Sequence, residues 1–358
     1  GFQVLLTAYP AARKWLDYDK LALKKFSAGA LVWCDGRKHR LGDPWREPGA
    51  LWDTLRAPVG SLADKVRIAT LRSAARRGTL EELFARPETT ALARLRAHGF
   101  SERMIARFLR PWLGGVFLDG ELETSSRMLE FVFRMFAEGD TAVPAAGMQA
   151  IPEQLAAGLA SGTLRLGARV EAVEAGAVRL AGGERIAARQ IVVAADGTGA
   201  AELLPEVAAP AWRAVTAVYF AAPASPLGEP TLMLNGAGRG LVNNVVVMSD
   251  VASGYAPAGQ ALISVEVLGA TERDDAALVA RVRAELTEWF GASVADWRWL
   301  KNYRVRRALP RRWPLVREAA RPVRPGVWVA GDATNSASIQ GAMESGERVA
   351  EAIIRGPG

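Results

Sequence analysis

The chain has 358 residues, 50% hydrophobic and 23% charged, enough apolar material for one large or two intertwined domains and too much for a disordered tail or charged linker. Its formal charge is +7, and 38 of its 45 basic residues are arginine, as GC-rich coding or anion handling would each produce. A single cysteine, Cys34, excludes a disulfide framework and a thiolate metal cluster, and two histidines, His39 and His98, are too few for a histidine-rich zinc site. No metal is expected. No apolar run approaches the ~18 residues of a transmembrane helix, and no basic stretch followed by an apolar one reads as a signal peptide.

Short strands are expected over Phe2–Leu6 and Ala28–Trp33, with a turn or two of helix over Pro10–Leu16 between them. Asp35-Gly36 ahead of Arg37-Lys38 is a hairpin signal. Residues 50–136 read as helical. Ser61 is the expected N-cap of one helix, with Asp64 in the capping-box position. Leu62, Val66 and Ala69 are expected to line its buried face, flanked by Ile68 and Leu71. Further helices are expected over Thr89–Ala97, stopped by Gly99, and from Ser101, with Ile105, Phe108 and Leu109 as its apolar side. Another is expected over Ser125–Ala137. Residues 61–110 carry eleven Lys or Arg against five Asp or Glu. A solvated helix face explains this more simply than an anionic lipid surface. No helix-turn-helix or aromatic RNA motif points to nucleic acid.

Ile151–Ala160 reads as an amphipathic helix with Leu155 and Leu159 inward. Short strands are expected at Leu164–Leu166, Val170–Val173, Ala177–Leu180 and Ile186–Ala188, with Ala181-Gly182-Gly183 as a turn. The run Gln190–Ala195 is continuously apolar and ends in Asp196-Gly197, the pattern of a buried parallel strand with a loop at its carboxyl end. Strands are then expected over Val215–Ala221, Thr231–Asn235, Val242–Met248 and Ala261–Leu268. A helix over Asp274–Trp289 separates them from a strand over Trp297–Val305. Trp297 and Trp299 alternate and are expected to share one face, either as sheet packing or as a substrate or cofactor wall. A last strand over Val327–Ala330 ends in Gly331-Asp332. The helix Ile339–Ile354 follows it, with a small-residue face of Gly341, Ala342, Gly346 and Ala350.

Gly331-Asp332 sits where open α/β sheets place their ligands, at the carboxyl end of a strand. The glycine permits close backbone approach, and the carboxylate suits a ribose or ribityl hydroxyl. Free N–H groups near Ile339-Gln340-Gly341-Ala342 can stabilise negative charge. An ordinary strand-loop-helix with a turn aspartate reads the same residues as well. Nucleophile arrangements are poor: there is no Gly-x-Ser-x-Gly elbow and no phosphate loop. Cys34 is expected to be buried and inert, and His39 and His98 to be structural. Chemistry carried by an organic cofactor explains this scarcity of catalytic side chains.

The whole chain resembles the flavin-containing amine oxidase superfamily, which includes amine oxidases, protoporphyrinogen oxidase and phytoene desaturases. The match is strongest over Gly326–Ala333 and Ser338–Gly346, which resemble the family's carboxyl-terminal flavin signature. Pro144–Pro152 resembles the segment introducing the second half of the flavin domain. Ala168–Val173, Ile191–Gly197, Gly1–Pro10 and the Arg307-Ala-Leu-Pro segment resemble further family stretches. The resemblance implies non-covalent FAD, with Gly331 and Asp332 at the ribityl or pyrophosphate region. It places Ile339, Gln340, Gly341 and Ala342 at the isoalloxazine, and Val170 at the adenine. It also implies substrate-wall candidates in Trp297, Trp299 and Tyr303. It assigns no catalytic residue: Lys301, the only lysine beyond residue 65, cannot be matched to the lysine often found near flavin N5.

The family's Gly-x-Gly-x-x-Gly unit is not in this sequence. Three readings of that departure stay open: a longer protein of which this is part, which is favoured; a partner chain supplying the unit; or a truncated form that retains FAD poorly. The expected architecture is α/β. It is an incomplete Rossmann-like FAD-binding domain (1–30, 145–210 and 305–358) with a second α+β substrate domain (31–144 and 211–304) that carries a helical subdomain. The expected function is FAD-dependent removal of a hydride from a C–N or C–C bond of an amine or a large apolar molecule. A non-catalytic binding module and a flavin-dependent isomerase are the alternatives. Expected partners are a small-molecule substrate and no nucleic acid. A cytoplasmic location with peripheral membrane contact is compatible with the basic helical region.

Overall fold

The computed structural model describes residues 4–271, 274–315, 317 and 319–356. The expected strand opening at Phe2-Gln3 therefore lies partly outside the described residues. The chain forms two compact units. One holds the segment ending at Ala8, with Tyr18–Ala150 and Arg213–Leu309. The other holds Tyr9–Asp17, Ile151–Trp212 and the segment from Pro310 onward.

The first unit is built on a seven-stranded sheet. Its spatial order is Arg298–Pro310, Trp212–Ala222, Ala261–Leu268, Val242–Val247, Leu232–Asn235, Gly29–Cys34 and Arg37–Gly42. The last two strands form the expected hairpin, with Asp35 and Gly36 both at positive φ, 52° and 74°. Two φ > 0 residues in a tight turn match the twist of the flanking strands, which is why Asp-Gly is used there. Leu232–Asn235 pairs in parallel with Gly29–Cys34 and antiparallel with Val242–Val247. Alternation sorts the side chains. Val218, Phe220, Ile263, Val265 and Val267 enter one core cluster with Leu278, Val282, Leu286 and Trp289 of the helix Asp275–Phe290. Residues between them in sequence, such as Tyr219, Ser264 and Glu266, take the opposite face.

Helices between Leu51 and Glu138 belong to the same unit. Ser61 and Asp64 form a true capping box on the helix Leu62–Ala75, and Thr90, Ser101 and Ser125 cap as their types predict. The buried face of Leu62–Ala75 differs from expectation. Leu62 and Val66 are 63% and 62% exposed, while Asp64, Leu71 and Ala75 are buried. Asp64 causes this rotation. Its carboxylate also accepts from the Ser101 backbone N–H (2.8 Å) and hydroxyl (2.7 Å), which draws that side of the helix inward.

The second unit contains two small sheets. Ile191–Val193 and Val327–Val329 pair in parallel, as their two apolar runs predict, but Val192 is exposed, so the pair is not buried throughout. Val170–Glu174, Ala177–Leu180 and Arg185–Ala187 form an antiparallel meander. No strand forms at Leu164–Leu166. Leu155 and Leu159 are exposed rather than inward, and the helix stops at Ala157. The long helix Ile339–Arg355 closes the unit.

Candidate functional site

The parallel pair and the helix Ile339–Arg355 build the site that the sequence singles out. Each strand is followed, three residues past its last residue, by an aspartate. Asp196 is spent as the N-cap of Gly197–Leu203, accepting from the Thr198 and Gly199 backbone N–H groups at 2.9 and 3.1 Å. Asp332 starts a short turn and keeps partial solvent access. Its carboxyl pKa is raised, first by burial and further by the charge of Asp196. Gly331 lies at φ 150°, ψ 172°, a conformation that L side chains rarely adopt. Its N–H donates to Ser345 Oγ at 2.8 Å, and that hydroxyl donates on to the Ala342 carbonyl. Ser345 thereby ties the strand end to the second turn of the helix. Sequence reasoning missed this residue, although it lies inside the matched Ser338–Gly346 stretch.

The helix start divides into two kinds of residue. Ile339 keeps partial access and Ala342 is exposed. Gln340 and Gly341 are buried. Gln340 Oε1 accepts the Ala11 backbone N–H at 2.8 Å, so this side chain holds the helix Pro10–Trp15 rather than facing outward. A Cβ on Gly341 would collide with the Ser336 carbonyl, and its N–H is already capped by Ser338 Oγ at 3.0 Å. Gly331 and Asp332 thus leave a partly accessible carboxylate behind a glycine at the strand end, and Ile339 and Ala342 form the accessible part of the helix start. Val170 lies in the separate meander, paired with Leu180.

The wall candidates separate in the first unit. Trp297 is 2% exposed and packs in the core with Phe220 and Phe290, one residue before the strand Arg298–Pro310 begins. Trp299 and Tyr303 are exposed. The expected shared face of Trp297 and Trp299 does not form, because the last residue before a strand is not bound by its alternation. Tyr303 meets Tyr219 edge to face, with ring centroids 5.7 Å apart at 88°. Cys34 is buried, and burial pushes its thiol pKa up, so it stays protonated at neutral pH.

The flavin-containing amine oxidoreductase family model matches residues 1–354. The chain belongs to this family. No curated protein matches it in sequence. Among solved structures, it is similar to a putative protoporphyrinogen oxidase from Exiguobacterium sp. 255-15. That match has TM-score 0.71 and 16% identity, covering 99% of this chain and 86% of that one. An oxidoreductase from Methanosarcina mazei matches with TM-score 0.69 and 14% identity, over 92% and 82% of the two chains. Cyclohexylamine oxidase from Brevibacterium oxydans IH-35A matches with TM-score 0.65 and 15% identity, over 99% and 87%. At these identities the likeness establishes a shared fold. No helix among the described residues is long and apolar enough to cross a membrane. Among the same residues, no group of three or more His, Cys, Asp or Glu is placed to hold a metal ion.

Proposed function

We propose that this flavin-family member is an FAD-dependent oxidoreductase that holds FAD non-covalently at the carboxyl ends of its parallel strand pair. The carrying observation is Asp332, a partly accessible carboxylate at a strand end, behind a glycine in a conformation suited to close approach. The chemistry FAD supplies is acceptance of a hydride from a C–N or C–C bond, with reoxidation by oxygen or a quinone-like acceptor. In this reading Asp332 accepts a hydrogen bond from a cofactor hydroxyl. Gly331 leaves room for that chain, and Ser345 keeps the strand end in register with the helix. Ile339 and Ala342 offer the accessible part of the helix start. Gln340 and Gly341 act behind them as packing. Trp299 and Tyr303 of the first unit remain the substrate-wall candidates, and the substrate is an amine or a large apolar molecule.

The test is FAD titration of the purified protein, followed by visible absorbance and flavin fluorescence, with Asp332→Ala as the variant. A charge-assisted hydrogen bond is worth roughly 1.5–3 kcal/mol, so the variant should bind FAD roughly 10- to 150-fold more weakly. An unchanged dissociation constant would make Asp332 a purely structural turn residue.

A further inference from the structure

A second carboxylate belongs to the first unit, inside the seven-stranded sheet. Glu266, on the strand Ala261–Leu268, faces away from the core helix Asp275–Phe290. Its Oε1 accepts two amide N–H groups, from Asn243 at 3.0 Å and Asn244 at 2.9 Å. Consecutive strand residues normally point to opposite faces. Here the pairing with the neighbouring strand slips between Val242 and Asn244, and this β-bulge brings both amides to one oxygen. The other N–H of Asn243 donates to the Pro111 carbonyl, at 3.0 Å, on the helix Arg110–Phe117. That helix covers the cluster with Gly115, where a Cβ would lie 2.9 Å from both amide nitrogens and 3.0 Å from the carboxylate. A bulge, two aligned amides and a glycine together leave a carboxylate with one oxygen held. The other, Oε2, accepts nothing among the described residues, and Glu266 keeps partial solvent access.

Among the described residues, no cation is paired with Glu266. Of the charged groups on the elements packed against it, Arg213 on the next strand is paired with Asp119 at 2.8 Å. Arg110 on the covering helix is bonded to the Gly120 carbonyl and faces Glu121. The titratable group beside it is Tyr219, whose backbone pairs with Ser264, two residues before Glu266. The residue directly opposite Glu266 is Ala217. A desolvated carboxylate that lacks a counter-charge is costly unless a ligand supplies one.

We propose that Glu266 is a specificity-determining carboxylate whose Oε2 receives a protonated nitrogen of the substrate, on a sheet face walled by Tyr219 and Tyr303. This rests on the reading above that the chain is a flavin oxidoreductase acting on a small molecule, and it selects a cationic substrate from the two classes left open there. Burial pushes the Glu266 pKa up to about 7, against the two asparagine amides that lower it. The carboxylate that attracts a cation therefore exists above neutrality and disappears below it.

The test is calorimetric binding of n-hexylammonium and of its neutral analogue n-hexanol to the full chain, at pH 5.5 and pH 8.5. Wild type should bind the ammonium at least about tenfold more tightly at pH 8.5 than at pH 5.5, and more tightly than the alcohol. Glu266→Gln keeps the shape and an acceptor for both amides, and should lose that pH dependence and the preference. Equal affinity for ammonium and alcohol in wild type, or affinity independent of pH, overturns the proposal without reference to any variant. FAD titration of the same samples separates the two claims. Normal FAD uptake without ammonium preference refutes the role of Glu266 alone, and absent FAD uptake refutes the functional reading.

Discussion

Asp64 in the helical region and Glu266 in the sheet are both enclosed carboxylates, and their surroundings drive them in opposite directions. Burial raises the pKa of Asp64, but four hydrogen bonds, from the backbone and hydroxyl of both Ser101 and Ser61, outweigh it and hold the group at about 2. At Glu266 burial dominates the two amide bonds, and the group sits at about 7. Asp64 has both oxygens occupied and joins its own helix start to the one capped by Ser101, 37 residues further along the chain, which is a structural role. Glu266 has one oxygen left over, which suits binding. The number of donors aimed at a buried carboxylate separates the two roles.

The sharpest way to break this contrast is to remove the fully satisfied group. Asp64→Ala leaves four donors unpaired and should destabilise the protein by about 3 kcal/mol, read from urea unfolding. The wild-type contribution of Asp64 should persist down to its unfolded pKa and fade as pH drops through about 2, because the folded state holds the ionised form. A loss under about 1 kcal/mol would mean that the double cap does not organise the helices.

Glu266 carries the opposite sign. Below the pKa of an unfolded glutamate both states are protonated and folding costs nothing extra. As pH rises toward about 7 the unfolded chain ionises first, so wild type loses stability, fully so above that value. Glu266→Gln should therefore be more stable than wild type above pH 8, by up to about 3 kcal/mol, and equal to it near pH 4. Matched unfolding curves at the two pH values check this, and a variant less stable than wild type at high pH would show that the charged form is already compensated. The smallest effect belongs to the exposed side of the Asp64 helix. Leu62→Ser and Val66→Ser should each change stability by no more than about 0.5 kcal/mol. A larger loss in unfolding experiments would restore the buried apolar stripe that the sequence pattern implies.

Much of the fold was legible because its signals are local. Ser61 and Asp64 lie three apart, Asp35-Gly36 carries its own turn geometry, and Ala261–Leu268 alternates along its length. The stretch Gly326–Gly346 was legible for a different reason, its resemblance to the family's carboxyl-terminal flavin signature. Glu266 was not legible. One glutamate in an alternating strand reads as a solvent-facing residue, and only Asn243-Asn244, two amides in an otherwise apolar strand, offered a hint.

The sequence by itself determined many element starts and turns, because capping, φ > 0 turns and alternation act over a few bonds; it did not determine that the helix from Ala150 stops at Ala157 or that no strand forms at Leu164–Leu166. Tertiary structure alone decided which way Leu62 and Val66 face, since Asp64 reaches Ser101 across 37 residues and rotates the helix against its own pattern. It also decided that Gln340 serves Ala11, that Trp297 belongs to the core, and that a bulge gathers two asparagines on one glutamate. Each of these depends on what another segment places opposite, and free energies of burial and hydrogen bonding are settled only when both sides meet.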